Sequence, residues 1–197
     1  MKKSAVYIHG KGGNVSEVEH YKKFFPGYEM LGFDYKSENI WDAVAEFQKF
    51  FKPLENVTII ANSIGAFYAM HALSNKKIDA AFFISPIVDM EKLILEMMAR
   101  ANVTEKILRE EKEIATDSGE ILSWKYLCYV RENPVAWKVP THILYGEKDF
   151  LTPLDTMKNF AEKINATLTI MQGGEHFFHT PAQMLFLDNW LESFTNP

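Results

Sequence analysis

The sequence carries one cysteine, Cys128, in 197 residues. A single thiol closes no intrachain disulfide and builds no thiolate metal site, a usage that fits a reducing compartment, so a cytoplasmic protein is expected. Basic residues never run beyond two in succession, and the net charge is −5. The electrostatic footprint of a nucleic-acid binder or of a protein held to anionic lipid is therefore missing, and neither is an expected partner. Long hydrophobic runs are missing too: the apolar stretch after Met1-Lys2-Lys3 stops at His9-Gly10, which predicts neither a signal peptide nor a spanning segment. There is no low-complexity tract and no internal repeat. What is present is a 47% hydrophobic, 14% aromatic chain, enough to bury the core of one domain and too apolar to stay disordered.

Short β-type runs alternate with helical patterns. The runs are Ala5–His9, Met30–Tyr35, Val57–Asn62, Ala80–Ser85, His142–Gly146 and Thr167–Met171. They are continuously apolar instead of alternating, as strands covered by helices on both faces must be. That predicts an α/β fold: three layers, α/β/α, around six mostly parallel strands. Ser16 with Glu19, Thr152-Pro153 with Asp155, and Thr180-Pro181 with Gln183 have the form of helix starts. Ile40, Val44, Phe47 and Phe51 recur at helical spacing as a core stripe. Between Met90 and Asn133 no strand candidate occurs. Met90, Leu93, Ile94, Met97, Met98 and Ala101 predict one helix, the charged segment Thr104–Ile114 a second, and Ser123–Glu132 a third that stops at Asn133-Pro134. Residues 90–133 thus read as a small helical cap inserted into a single domain, at one edge of the sheet.

In a parallel sheet, ligands bind beyond the carboxyl ends of the strands. Past the first run stands His9-Gly10-Lys11-Gly12-Gly13-Asn14; past the third, Ser63-Ile64-Gly65; past the fifth, Glu147-Lys148-Asp149; past the sixth, Gly173-Gly174-Glu175-His176. A serine, an aspartate and a histidine reach one edge in that chain order. Taken alone, Ser63 could equally cap a helix, and Asp149 could pair with Lys148 or cap the helix at Pro153. His179 competes with His176. The glycine loop lacks the third glycine of a dinucleotide fingerprint, because Val15 stands there, and it has no Gly-Lys-Ser/Thr ending. His176-x-x-His179 has no clustered third ligand. No cofactor and no metal are therefore expected.

With these residues in view, the chain resembles the α/β-hydrolase superfamily over nearly its whole length. Ala61-Asn62-Ser63-Ile64-Gly65 resembles the G-x-S-x-G nucleophile elbow with alanine for the first glycine, and the order Ser…Asp…His is that of the superfamily. The glycine turn after His9-Gly10 is similar to its oxyanion loop, Tyr145–Asp149 to its acid-bearing strand end, and Gly173–Phe177 to its base loop. The resemblance implies Ser63 as nucleophile, His176 as base and Asp149 as the acid that orients it. It also implies backbone N–H groups of Ile64 and of Lys11, or Gly12 if the loop is shifted by one, as oxyanion donors. The implied activity is hydrolysis of a small ester- or thioester-type acyl substrate. A non-catalytic ligand- or partner-binding module on the same scaffold, or an acyltransferase, are the alternatives. Because the first strand ends within ten residues of Met1, a trimmed core is expected, without the hairpin that precedes this strand in larger relatives. Residues 90–133 are the expected place of substrate choice.

Overall fold

The computed structural model describes residues 3–117 and 119–195. Along the chain the strands are β1 (Ser4–Ile8), β2 (Glu29–Phe33), β3 (Val57–Asn62), β4 (Ala80–Ile84), β5 (Glu113–Ala115), β6 (Ile121–Ser123), β7 (Thr141–Gly146) and β8 (Thr167–Met171). The α-helices are α1 (Val18–Tyr21), α2 (Ile40–Phe51), α3 (Ser63–Ala72), α4 (Met90–Arg100), α5 (Glu105–Glu111), α6 (Trp124–Glu132), α7 (Leu154–Lys163) and α8 (Pro181–Thr195). Contacts divide the chain into two units, Met1–Val88 with Ala136–Pro197, and Asp89–Val135.

The first unit is built on a six-stranded sheet in the order β2-β1-β3-β4-β7-β8. Every pairing in it is parallel, and the six strands are those expected, with ends moved by a residue or two. The central strands β1 and β3 are buried almost throughout, whereas the edge strands β2 and β8 are only half-covered. Side chains alternate between faces. Ala5, Tyr7, Ile60, Phe82, Ile84 and Leu144 share the face packed by Tyr21 of α1 and by Leu187, Trp190 and Leu191 of α8. On the opposite face, Phe33 of β2 meets Phe47 and Phe51 of α2, and α2 packs on α3. These are the three layers.

Helix starts are where local reading and structure part. The first capping box is formed by Asn14 and Glu17, not Ser16 and Glu19: Ser16 N–H donates to Asn14 Oδ1 at 2.9 Å and Asn14 N–H donates to Glu17 Oε1 at 2.9 Å. Asparagine is at least as good a cap as serine and stands two residues earlier, with its own glutamate three residues on. Thr152 does not cap α7, which begins after Pro153, because its hydroxyl donates to Pro86 O at 3.3 Å. Gln183 does close the start of α8: its N–H donates to Thr180 Oγ1 at 3.3 Å, and its Oε1 accepts from Thr180 N–H at 3.2 Å. In α2 the stripe is Ile40, Ala43, Phe47 and Phe51, with Val44 half-buried beside it.

The unit Asp89–Val135 holds the three expected helices and a feature that was not expected. Thr104–Ile114 is not one helix: α5 ends at Glu111, Lys112 turns to φ +67°, and β5 pairs antiparallel with β6. Three-residue strands are too short to show a period of two. Arg131 of α6 ties this unit together, donating to Glu91 Oε1 at 2.6 Å and forking onto Glu105 at 2.7 and 2.8 Å.

His71, near the end of α3, lies edge-on to Phe67 with ring centroids 4.5 Å apart. Burial lowers its pKa from 6.5 to about 4. The unfolded chain then binds the extra proton between those values, so stability is full above pH 6.5 and falls as the pH drops toward 4. The loss should reach on the order of 2 kcal/mol. Melting temperatures from pH 7.5 to 4.5 check this: His71→Gln should flatten the decline relative to wild type, and parallel curves would contradict it.

Candidate active site

All six parallel strands end on one side. The chain runs from β1 outward to β2 and returns to β3 on the other flank of β1, so the loops after β1 and β3 diverge around a crevice. The loop after β1 brings Gly10–Gly13 to this crevice, and the β3–α3 turn brings Ser63.

Ser63 has φ +50°, a left-handed conformation costly for a residue with a side chain. The tight turn that imposes it lets α3 pack closely on the end of β1. A Cβ at Gly65 would stand 2.3 Å from His9 O, and one at Gly10 would stand 3.1 Å from Ser63 Cβ. The position where the elbow pattern has its first glycine tolerates alanine: Ala61 is fully buried in β3, opposite Ile8 on one side and Phe83 on the other.

Further along the same edge, the loops after β7 and β8 are laced to each other. Lys148 N–H donates to Gly174 O at 2.8 Å, Glu147 N–H to Met171 O at 3.0 Å, and Gly173 N–H to Glu147 Oε2 at 2.8 Å. A Cβ at Gly146 would lie 2.3 Å from Glu175 O, which is why glycine ends β7. This lacing fixes Asp149 against His176, whose Nδ1 is 2.7 Å from Asp149 Oδ2, while His176 Nε2 is 2.9 Å from Ser63 Oγ. Both the imidazole and the carboxylate are buried. A carboxylate only accepts, so Nδ1 carries the proton and Nε2 presents its lone pair to the serine hydroxyl. The second carboxylate oxygen, Asp149 Oδ1, accepts from Leu151 N–H at 2.8 Å and Thr152 N–H at 3.2 Å. Asp149 therefore holds both the histidine and the turn that leads into α7.

His179 lies apart from this chain. Its Nδ1 is bonded to Phe177 O at 2.8 Å, and its side chain is 62% exposed. A cavity of about 450 Å³ is lined by Gly10, Lys11, Gly12, Ser63 and His176, with Tyr21, Ile84, Met184 and Leu187 as apolar wall. That volume lies within the range of small-molecule sites, ~300–1,000 Å³. The Ile64 N–H, in the first turn of α3, has no intrahelical acceptor, and Lys11 is in the loop across from it. Sequence reasoning did not single out Tyr7, Glu17 or His20, of which Glu17 and His20 line the cavity. The Asn14 and Glu17 spacing was the available signal for Glu17. Among the described residues no group of three or more His, Cys, Asp or Glu could hold a metal ion, and no helix is long and apolar enough to cross a membrane.

The sheet order, the strained serine turn and the strand-end loops together define the α/β-hydrolase fold. No protein-family model and no curated protein matches the sequence, but solved structures do. Est1E from Butyrivibrio proteoclasticus superposes with a TM-score of 0.76 at 17% identity, covering 98% of this chain and 86% of that one. Alpha/beta hydrolase domain-containing protein 10 from mouse gives 0.75 at 16% identity over 96% and 88% of the two chains. An esterase of Pyrococcus furiosus gives 0.61 at 19% identity over 98% and 80%.

Proposed function

We propose that the protein is a serine hydrolase that cleaves a small ester- or thioester-type acyl bond through an acyl-enzyme at Ser63. The observation that carries this is the unbroken hydrogen-bond chain from Ser63 Oγ through His176 to Asp149, at the wall of a cavity. In this reading Ser63 Oγ attacks the acyl carbonyl carbon while its proton passes to His176 Nε2. The oxyanion of the tetrahedral intermediate is held by the N–H groups of Ile64 and Lys11. His176 then gives the proton to the leaving alcohol or thiol. In the second half-reaction it takes a proton from water, whose oxygen attacks the acyl carbon, and returns that proton to Ser63 Oγ as the bond from Oγ to the acyl carbon breaks and the acid is released. Asp149 keeps the imidazole in the productive tautomer and stabilises its protonated form. No cofactor enters. The esterases among the solved structures of this fold support the same chemistry. A single domain in which residues 90–133 are an insertion belongs to this reading as well.

A fluorophosphonate probe and a panel of p-nitrophenyl esters of increasing acyl length test it. Stoichiometric labelling located at Ser63 by mass spectrometry, with turnover of the shorter esters, is expected. Absence of both would leave a binding module on a hydrolase scaffold. Product formed on an added alcohol in preference to water would make the enzyme an acyltransferase.

A further inference from the structure

Beneath the serine turn lies a second polar chain that the proposed reaction does not use. Tyr7 is in the middle of β1, fully buried, with its ring stacked on Tyr21 at a centroid distance of 4.7 Å. Its hydroxyl donates to Glu17 Oε2 and accepts from Asn62 Nδ2 at 2.9 Å. The other oxygen of Glu17 accepts from Asn14 N–H at 2.9 Å. Asn62 is the residue before Ser63, and Asn14 closes the glycine loop that contains Lys11. A hydroxyl at the centre of an apolar strand is costly to bury unless its hydrogen bonds are made, and here Glu17 and Asn62 make both. Burial above all, with Tyr21 and Glu17 adding to it, holds the Tyr7 hydroxyl far above its usual pKa, so it remains a neutral donor throughout the working pH range.

We infer that Tyr7, Glu17 and Asn62 are positioning residues, a part-buried clamp that fixes the spacing between the two backbone donors of the oxyanion hole. One end of the clamp holds the peptide leading into Ser63 and hence the direction of the Ile64 N–H. The other end, through the capping box, holds the loop that presents the Lys11 N–H. Gly13 shows how closely that loop is drawn in: a Cβ there would stand 2.9 Å from Glu17 Oε1. The chain touches neither the nucleophile's oxygen nor the base, so it sets where charge is stabilised and not how the proton moves. This inference rests on the hydrolase reading.

The test is Tyr7→Phe, which removes one oxygen and keeps the stacked ring, assayed on p-nitrophenyl acetate beside wild type and with melting temperature recorded. We expect kcat to fall about tenfold, KM to stay within about twofold, and fluorophosphonate labelling of Ser63 to slow in parallel, because a misaligned donor costs transition-state stabilisation and not ground-state binding. Glu17→Ala should lose a similar factor. Glu17→Gln, which keeps an acceptor for Asn14 N–H, should fall between it and wild type and keeps the question answerable should Tyr7→Phe not fold. If the residues act as one chain, Tyr7→Phe with Glu17→Ala should be no slower than the worse single variant, whereas two independent packing defects would multiply. Unchanged kcat in Tyr7→Phe, or multiplied losses in the double variant, would overturn the clamp while wild-type activity leaves the hydrolase reading standing. A wild type that neither labels nor hydrolyses would overturn both.

Discussion

Ser63→Ala should lower kcat for p-nitrophenyl ester hydrolysis by at least about 10⁴-fold, because it removes the atom that forms the acyl-enzyme and leaves only the oxyanion donors and binding to act on the substrate. The fold should hardly register the change. The hydroxyl makes one side-chain hydrogen bond, to His176 Nε2, and alanine suffers no more than serine at φ +50°. A stability change within about 1 kcal/mol is expected. Ser63→Gly sharpens the comparison, since glycine adopts that φ without cost. It should be as inactive as alanine yet at least as stable as wild type, which would mark the turn as strain retained for the hydroxyl's sake. Activity above a tenth of wild type in either variant would place the nucleophile elsewhere.

The sheet and the strand-end residues were legible because each depends on a few neighbouring residues. A buried parallel strand is an apolar run wherever it sits, and the turns beyond Ile8, Asn62, Gly146 and Met171 carry their glycines and polar residues in place. Gly65 and Gly146 are required by approaches of 2.3 Å to other backbone, so the need for them is written at a single position. What could not be read depends on register or on competition between near-equal local choices. Tyr7 looks like any core aromatic until pairing of β1 with β3 sets it opposite Ile60, which puts Asn62 two residues along on the same face. Asn14 and Ser16 both offer caps, and only the path of the chain into α1 decides between them. The hairpin of β5 and β6 hid because Lys112 gives no composition signal for a helix stop, although its φ of +67° makes it one. His176 and His179 were separable only by motif. In the structure the lacing of the Gly173 loop to Glu147 decides, turning one histidine inward and leaving the other in solvent.

Asp149→Asn should cost about 10⁴-fold in kcat by a route that leaves the site's shape intact. The asparagine has one acceptor and one donor in place of two acceptors. The turn demands the acceptor: the N–H groups of Leu151 and Thr152 both point at Oδ1, at 2.8 and 3.2 Å. The amide nitrogen must then occupy the place of Oδ2, 2.7 Å from His176 Nδ1. There it donates, so Nδ1 must be unprotonated and the ring proton moves to Nε2, opposite Ser63 Oγ. A donor now faces the hydroxyl whose proton the base should accept, and the neutral imidazole cannot act. Flipping the amide to rescue the tautomer would set two N–H donors against an NH₂ group in a buried turn, a cost of roughly 1–3 kcal/mol for each group left unsatisfied. Asp149→Ala frees the ring from this constraint, so it should retain more activity than Asp149→Asn although it removes more atoms. That inverted order is the measurement to make, with both variants assayed beside wild type from pH 6 to 9. Equal losses would mean that the carboxylate acts by its charge alone, and a loss under tenfold in Asp149→Asn would remove it from the reaction.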